Sequence, residues 1–285
     1  MEILKLAAKK IVERIVFGIV FILNTNFFGR FFMDQFVNST RNNIKEIKHN
    51  GVTLQFVTPN SLTHYRVCTF SSKEPDTLSW IDGFTKNSNF WDVGANVGLF
   101  SCYAAKTRHC RVFAFEPSVF NLEILARNIY INSLSDKASI VTFPLSNDIS
   151  FSNFKMTSLD YGSALSTFGE SYGQDGKPLG QIFSFNTIGI SADKAIDILN
   201  IPPPDYIKID VDGIESLILE GGENLLRNVK EVLIEINDDF ETQYIQSQNY
   251  LKNAGLVMVS KRNTDLNSIV SKSYSNSYNQ IWKRP

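Results

Sequence analysis

The stretch Phe90-Trp91-Asp92-Val93-Gly94-Ala95-Asn96-Val97-Gly98-Leu99 constrains this chain more than any other. An apolar run ending in an acid, then a glycine turn, then a helical pattern predicts a buried strand to Asp92 or Val93 and a helix from near Val97. Gly94 allows the backbone to leave the strand in a conformation that a side chain would block. Gly98 allows the helix to pack closely on the sheet with its N–H groups facing a ligand. This is a nucleotide-type turn. Its spacing, G-x-x-x-G behind a carboxylate, differs from the G-x-G-x-x-G that cradles a dinucleotide pyrophosphate.

Arg111-Val112-Phe113-Ala114-Phe115-Glu116-Pro117 reads as a second strand ending in an acid, reached after one helix from Gly98 to about Thr107. A helix of about twelve residues rises ~18 Å, close to the ~17 Å of a five-residue strand. Asp92 and Glu116 are therefore expected side by side on one sheet edge. The two oxygens of Glu116 suit the two hydroxyls of a ribose, which points to an adenosine-type ligand.

The alternation continues. A helix capped by Ser118 leads to a strand over 138–145, and another strand covers 205–211 after Pro202-Pro203-Pro204. A helix then breaks near Gly221-Gly222, a strand covers 229–237, and a helix from Thr242 stops at Gly255 before a strand over 256–259. If the extended geometry persists, Lys208, Asp210 and Asp212 project to one side. Asp212 and Glu215 also fit a capping box. Asp210 has no such structural role and is the preferred functional acid. Glu235 and Asn237 end the next strand on the same edge, within reach of an acceptor. An edge this acidic would repel a pyrophosphate by about 4 kcal/mol per close like-charge pair at an effective dielectric near 20. It suits a ligand carrying a sulfonium and an ammonium.

Asp92-Val-Gly-Ala-Asn-Val-Gly98, Phe115-Glu116-Pro117 and Ile207-Lys208-Ile209-Asp210-Val211-Asp212-Gly213-Ile214-Glu215 together resemble the FkbM family of S-adenosylmethionine-dependent methyltransferases, from about Glu74 to about Asn237. Each motif alone is weak; three in order at β-α-β spacing are specific. The resemblance implies an α/β, Rossmann-like class I methyltransferase fold. Its seven-stranded sheet is mostly parallel with helices on both faces, and Tyr278 to Trp282 enters as an antiparallel last strand. S-adenosylmethionine would be held by Asp92, Gly94, Ala95, Asn96, Gly98, Glu116, Pro117, Ser146 and Asp210. Its carboxylate would meet the amides of the Gly94 to Gly98 turn, and its adenine would lie near Leu145-Ser146-Asn147. Ser146-Asn147-Asp148 as a simple turn is the competing reading.

Residues implied for the acceptor are Glu74, in a Glu-Pro-x-Thr-Leu-x-Trp stretch similar to the family's, with Asp212, Glu215, Glu235 and Asn237. Asp76 reads instead as a helix cap. Asp210, its charge state adjusted by Lys208, is the candidate base or acceptor-orienting group. The family more often has Glu where this chain has Asp212. The activity implied is O-methylation of a sugar hydroxyl, a glycan or a small metabolite. A nicotinamide-dependent Rossmann oxidoreductase and a non-catalytic S-adenosylmethionine-binding protein are the competing classes.

With 285 residues and 43% apolar content, the chain holds one large domain with extensions. Residues 1–70 are expected to form an N-terminal extension, an apolar helix and a small hairpin pairing 52–57 with 65–70. Residues 71–285 form the methyltransferase domain, with a β-rich insertion at 148–192 that reads as a substrate lid or as a peripheral extension. The formal charge of −1 predicts no bulk attraction to nucleic acid. Cys68, Cys102 and Cys110 lack C-x-x-C spacing, which predicts free thiols in a reducing, cytoplasmic compartment. His49, His64 and His109 are scattered, so no metal site is expected. Ile15 to Leu23 is too short for a bilayer span of ~20 residues, and no small-residue cleavage site follows it. Three readings remain: a helix packed on the main domain, a homo-oligomer contact, or an interfacial membrane helix helped by Lys5, Lys9, Lys10 and Arg14. The first two rank ahead, because apolar N-terminal helices are more often core than anchor.

Overall fold

The computed structural model describes residues 2–263 and 276–285, with side chains from residue 7; the Lys5 side chain lies outside the described part. A helical hairpin, α1 (Glu2–Leu23) and α2 (Phe27–Arg41), precedes an antiparallel pair, β1 (Ile44–His49) and β2 (Val52–Val57). Helices α3 (Ser61–Cys68), α4 (Phe70–Lys73) and α5 (Pro75–Asp82) follow. The alternating part opens with β3 (Asn89–Val93), α6 (Leu99–Arg108), β4 (Arg111–Phe115), α7 (Val119–Ile131) and β5 (Ala138–Val141). Strands β6 (Leu145–Ser146), β7 (Ser150–Met156), β8 (Ser166–Phe168) and β9 (Phe183–Ser191) form a separate four-stranded sheet. The chain then runs α8 (Ala192–Leu199), β10 (Tyr206–Ile209), α9 (Glu215–Glu220), α10 (Glu223–Leu226) and β11 (Glu231–Asn237). It ends with α11 (Glu241–Asn253), β12 (Val257–Asn263) and β13 (Ser277–Lys283).

The main sheet has the order β12-β13-β11-β10-β3-β4-β5, with β13 antiparallel to both of its neighbours. From β3 the chain winds outward to β4 and β5, then returns to the other side of β3 through β10 and β11. The reversal opens a crevice at the carboxyl ends of β3 and β10, where doubly wound sheets bind ligands. This is the Rossmann-like methyltransferase architecture.

The two-residue period of the strands divides the core between the sheet's faces. Trp91, Val93, Ile207, Ile209, Val232 and Ile234 pack on one face, and Phe90, Val112, Ala114, Tyr206 and Leu233 on the other. Asp92 and Lys208 fall on the second face, between these apolar neighbours. That placement decides much of the site's electrostatics.

Three local expectations are corrected. Residues 65–70 are helical, not the hairpin's second strand: Asn60 caps α3 by accepting from Thr63 N–H at 2.9 Å, and Thr63 returns the bond in a capping box. The alternating apolar residues beyond it suggested a strand, and the cap prevails. Strand β10 stops at Ile209, and Asp212 sits at φ 62°, so the extended geometry that would align Asp212 with Lys208 and Asp210 ends first. The apolar helix α1 is not packed on the main domain: Ile11, Val12, Ile15, Val16, Phe17, Ile19, Phe21 and Ile22 are all more than half exposed. Among the described residues no helix is long and apolar enough to cross a membrane.

Candidate active site

A cavity of about 520 Å³ occupies the crevice at the carboxyl ends of β3, β4, β10 and β11. The glycine turn and Glu116 form one side, Lys208, Asp210, Asp212 and Glu235 another. Leu62, Tyr65 and Arg66 of α3, with Lys73 and Glu74, line it from the N-terminal part, and Phe154, Ser163, Ala164, Ser166, Thr167 and Phe168 line it from the four-stranded sheet and its loops.

Gly94 holds φ +85°, and a Cβ there would lie 1.9 Å from the Asp210 carbonyl oxygen, so only glycine fits where the two strand ends meet. The turn's amides are already used. Gly94 and Ala95 N–H both donate to Phe115 O at 3.0 Å, Asn96 N–H to Glu116 Oε2 at 2.8 Å, and Gly98 N–H to Ala95 O at 2.8 Å. The expectation that these amides receive a ligand carboxylate is therefore corrected: they shape the turn. Gly98 is absent from the cavity wall, and a Cβ there would meet Leu125 Cδ1 at 2.4 Å. Its role is the close approach of α6 to α7 rather than to a ligand.

Glu116 is 5% exposed and faces the cavity. Its Oε1 accepts from Ser118 N–H and its Oε2 from Asn96 N–H, both at 2.8 Å. Burial pushes its pKa up to about 7 against the opposing pull of those N–H groups. Each oxygen keeps a lone pair for a hydroxyl donor. Val97, Phe115, Pro117 and Leu145 line the cavity alongside it with apolar surface.

Asp92 lies elsewhere than expected. The β3–β4 register sets it opposite Ala114, two residues short of Glu116, and it is 1% exposed and outside the cavity wall. Across β3 and β10 its partner is Lys208. Ser101 Oγ donates to Asp92 Oδ2 at 2.5 Å, while Oδ1 has no hydrogen-bond partner. Burial raises its pKa and the Lys208 charge opposes the rise. Asp92 is thus an acid beneath the floor, compensating a buried lysine, rather than half of a carboxylate pair facing a ligand.

Lys208 is 2% exposed and donates to Asp210 Oδ2 at 2.6 Å. Burial opposes its charge, but Asp210, Glu74 and Asp92 together raise its pKa, so the ammonium persists. It also sits 5.4 Å from the centroid of the Phe100 ring. Burial likewise works against an ionised Asp210, yet the Lys208 charge and hydrogen bond hold it below the usual carboxylate range. Asp212 behaves oppositely: burial and then the Asp210 charge push its pKa up to about 6, although Leu165 N–H donates to its Oδ2 at 2.7 Å. Burial, Asp210 and Glu74 raise Glu235 well above an ordinary Glu. Glu74 accepts from Thr77 Oγ1 at 3.1 Å and faces the cavity.

Three other expected site residues are placed outside the wall. Ser146 is buried in β6, and its neighbours Pro144 and Leu145 take the position facing the cavity. Glu215 is 2% exposed and accepts from Val211 and Gly213 N–H and from Gln243, so it pins the loop after β10. It is not the third residue of a capping box, since α9 starts at Glu215 itself. Asn237 is buried in β11 and accepts from Asp239 N–H. In contrast, Gly94, Ala95, Asn96, Glu116, Pro117, Lys208, Asp210, Asp212, Glu74 and Glu235 all line the cavity.

Sequence reasoning missed Arg66, Lys73 and Asn121. Arg66 Nε donates to Gly162 O at 2.6 Å. Asn121 accepts from Gly162 N–H, and Asn96 and Asn121 both donate to Ser163 O. These bonds fix the insertion's 161–163 loop over the cavity. The Asn60 cap was the available signal for Arg66; nothing in the sequence pattern marked a loop contact for Asn121.

The profile of the Methyltransferase FkbM domain matches residues 92–257, well over half of the chain. The chain belongs to the FkbM methyltransferase family. A curated relative, the hexuronic acid methyltransferase AglP of Haloferax volcanii, is 30% identical over 154 residues. That alignment takes in 52% of this chain and 55% of the relative, so the chain spans about half the length of the curated relative it matches. Among solved structures, the methyltransferase FkbM from Methylobacillus flagellatus KT is 15% identical, with a TM-score of 0.45 over 70% of this chain and 44% of that one. The precorrin-6y C5,15-methyltransferase from Geobacter metallireducens GS-15 is 14% identical, with a TM-score of 0.44 over 74% and 86%.

The methyl donor of the FkbM family is S-adenosylmethionine, and the residues present fit it. The volume lies in the range of small-molecule pockets, about 300–1,000 Å³. Glu116 offers acceptors for ribose hydroxyls beside apolar surface, and the wall's five carboxylates, set against Arg66, Lys73 and Lys208, offer partners for the ligand's sulfonium and ammonium. Glu116, with Gly94, Ala95, Asn96 and Pro117, would hold the nucleoside part. Glu74, Asp210 and Glu235 would face its charged end.

Proposed function

We propose that this chain is an S-adenosylmethionine-dependent O-methyltransferase acting on a hydroxyl of a sugar or glycan. The observation that carries the reading is the end of β10, where a buried Lys208 holds Asp210 ionised 2.6 Å away in the wall of an acid-lined cavity. The cofactor, when bound, supplies an electrophilic methyl carbon on a positively charged sulfur. Everything else falls to the chain: orienting the acceptor oxygen, excluding water and receiving a proton.

The pKa directions divide the labour. Asp210 is held below the usual carboxylate range, which makes it a lasting anion and a poor base. It suits an acceptor-orienting role, taking a hydrogen bond from a hydroxyl neighbouring the reacting one. Asp212, at about 6, is matched to proton transfer near neutral pH. As the acceptor oxygen loses its proton, that proton passes to Asp212 Oδ1, while Oδ2 stays bound to Leu165 N–H. The sugar class draws on the hexuronic acid methyltransferase relative.

The test is release of S-adenosylhomocysteine against a saccharide panel that includes uronic acids, with the wild type and with Asp210→Asn and Asp212→Asn. At saturating donor both variants should lose about a hundredfold in turnover, the size of a general acid–base or positioning contribution, and Asp210→Asn should also bind the donor more weakly. Full turnover in Asp210→Asn would reject its role. Silence of the wild type on every saccharide, with the donor bound, would favour the non-catalytic binding protein.

A further inference from the structure

The N-terminal hairpin carries an apolar surface that the rest of the molecule does not cover. Among the described residues, 29 large hydrophobic side chains are exposed, and 14 of these lie between Ile11 and Val37, among them Phe17 at 73%, Phe27 at 69% and Phe28 at 80%. On α1 the exposed set includes Ile15, Val16, Phe17, Ile19, Phe21 and Ile22. Successive residues turn by about 100°, so these six reach most of the way round the helix outside the face packed on α2. A second protein chain covers one stripe of a helix. A lipid phase covers the whole circumference.

The charges of the hairpin favour the same occupant. The hairpin carries six cations, Lys5, Lys9, Lys10, Arg14, Arg30 and Arg41, against Glu2, Glu13 and Asp34, and Lys9, Lys10, Arg14 and Arg30 have no carboxylate partner among the described residues. The polar residues of the turn are already bonded within the hairpin. Asn24 Nδ2 donates to Val20 O at 3.0 Å, Thr25 Oγ1 to Ile22 O at 2.7 Å, and Asn26 Oδ1 accepts from Gly29 N–H at 2.8 Å. The turn therefore enters an apolar medium at reduced cost. Neither helix is long and apolar enough to span. The foot of the hairpin is fixed to the body, since Arg41 pairs with Glu123 at 2.7 Å and Tyr161 OH donates to the same carboxylate at 3.0 Å.

We infer that α1 and α2 dock the protein on the surface of an anionic bilayer. The Ile, Val and Phe side chains enter the headgroup and acyl boundary of one leaflet, and the lysines and arginines meet lipid phosphates. This does not depend on the methyl acceptor.

The experiment is flotation of the full chain with vesicles of phosphatidylcholine alone and of phosphatidylcholine with one quarter phosphatidylglycerol, with sedimentation analysis of the same protein. The chain should float with the anionic vesicles. Replacing Phe27, Phe28, Phe31 and Phe32 by Ser should cut the bound fraction at least tenfold. Lys9→Gln with Lys10→Gln and Arg14→Gln should weaken binding to the anionic vesicles by on the order of a hundredfold, at about 1 kcal/mol per charge, and abolish the preference for them. The charge variant leaves every apolar side chain in place, so it tests the inference even if the Phe variant fails to fold. Failure of the wild type to float, or flotation unchanged in the charge variant, would overturn it. So would a stable dimer in solution that does not float and that the Phe variant dissociates.

Discussion

The ends of β4 and β10 both carry acids into one cavity, and they are built on opposite plans. At the end of β4, both oxygens of Glu116 already accept backbone N–H groups, and the neighbouring turn satisfies its own amides at Phe115 O and Ala95 O. At the end of β10, Lys208, with Arg66 and Lys73 also in the wall, stands against Glu74, Asp210, Asp212 and Glu235, and the Asp210 charge drives the pKa values of Asp212 and Glu235 up. The first end is a prebuilt shape that needs little from a ligand to be stable. The second is an electrostatic field that a cationic ligand completes. Shape is written in glycines and hydrogen bonds; the field arises from which side chains share a face.

Gly94→Ala strikes where the two ends touch, and its effect should be the largest. A Cβ 1.9 Å from Asp210 O at φ +85° forces backbone movement, and a loss of more than about 3 kcal/mol is expected in urea unfolding. Lys208→Met should come next, at about 3 kcal/mol, because it leaves Asp92 and Asp210 without their cation. A Lys208→Met protein as stable as wild type would show that β10 carries no such field.

Glu116→Gln is milder in stability. It keeps one acceptor oxygen but sets an amide NH₂ against a backbone N–H, and donor affinity should fall about tenfold. The smallest effect is that of pH. Burial raises the native pKa of Glu116 and Glu215 to about 7 and of Asp212 to about 6, above their ordinary values. Stability from these groups is fully present below their unfolded values of about 4 and is lost as pH rises from there through the native values of about 6 to 7, so the unliganded protein's Tm should fall across that window. S-adenosylmethionine favours the ionised carboxylates, so its affinity should rise over the same window. S-adenosylhomocysteine, without the sulfonium charge, should show a smaller rise.

The alternation of strands and helices was legible because it is local: Asp92 to Gly98, the Ser118 cap and the Gly255 stop each read from a few residues. Glu116, Asp210 and Glu235 were legible as acids at strand ends facing one crevice. The inward placement of Asp92 was not, because it depends on the β3–β4 register and on Lys208 lying opposite in β10. Ser146, Glu215 and Asn237 were misplaced for a related reason. Their side chains point to backbone or core neighbours that only tertiary structure brings near. Arg66 was hidden behind a strand pattern that the Asn60 cap overrides.

The most direct test is calorimetric titration of S-adenosylmethionine into well-folded wild-type protein and into Glu116→Gln. A single site that binds the donor, weakened about tenfold in the variant, is the predicted result. Absence of heat for both S-adenosylmethionine and S-adenosylhomocysteine, or equal affinity in the two proteins, would contradict the assignment of this cavity.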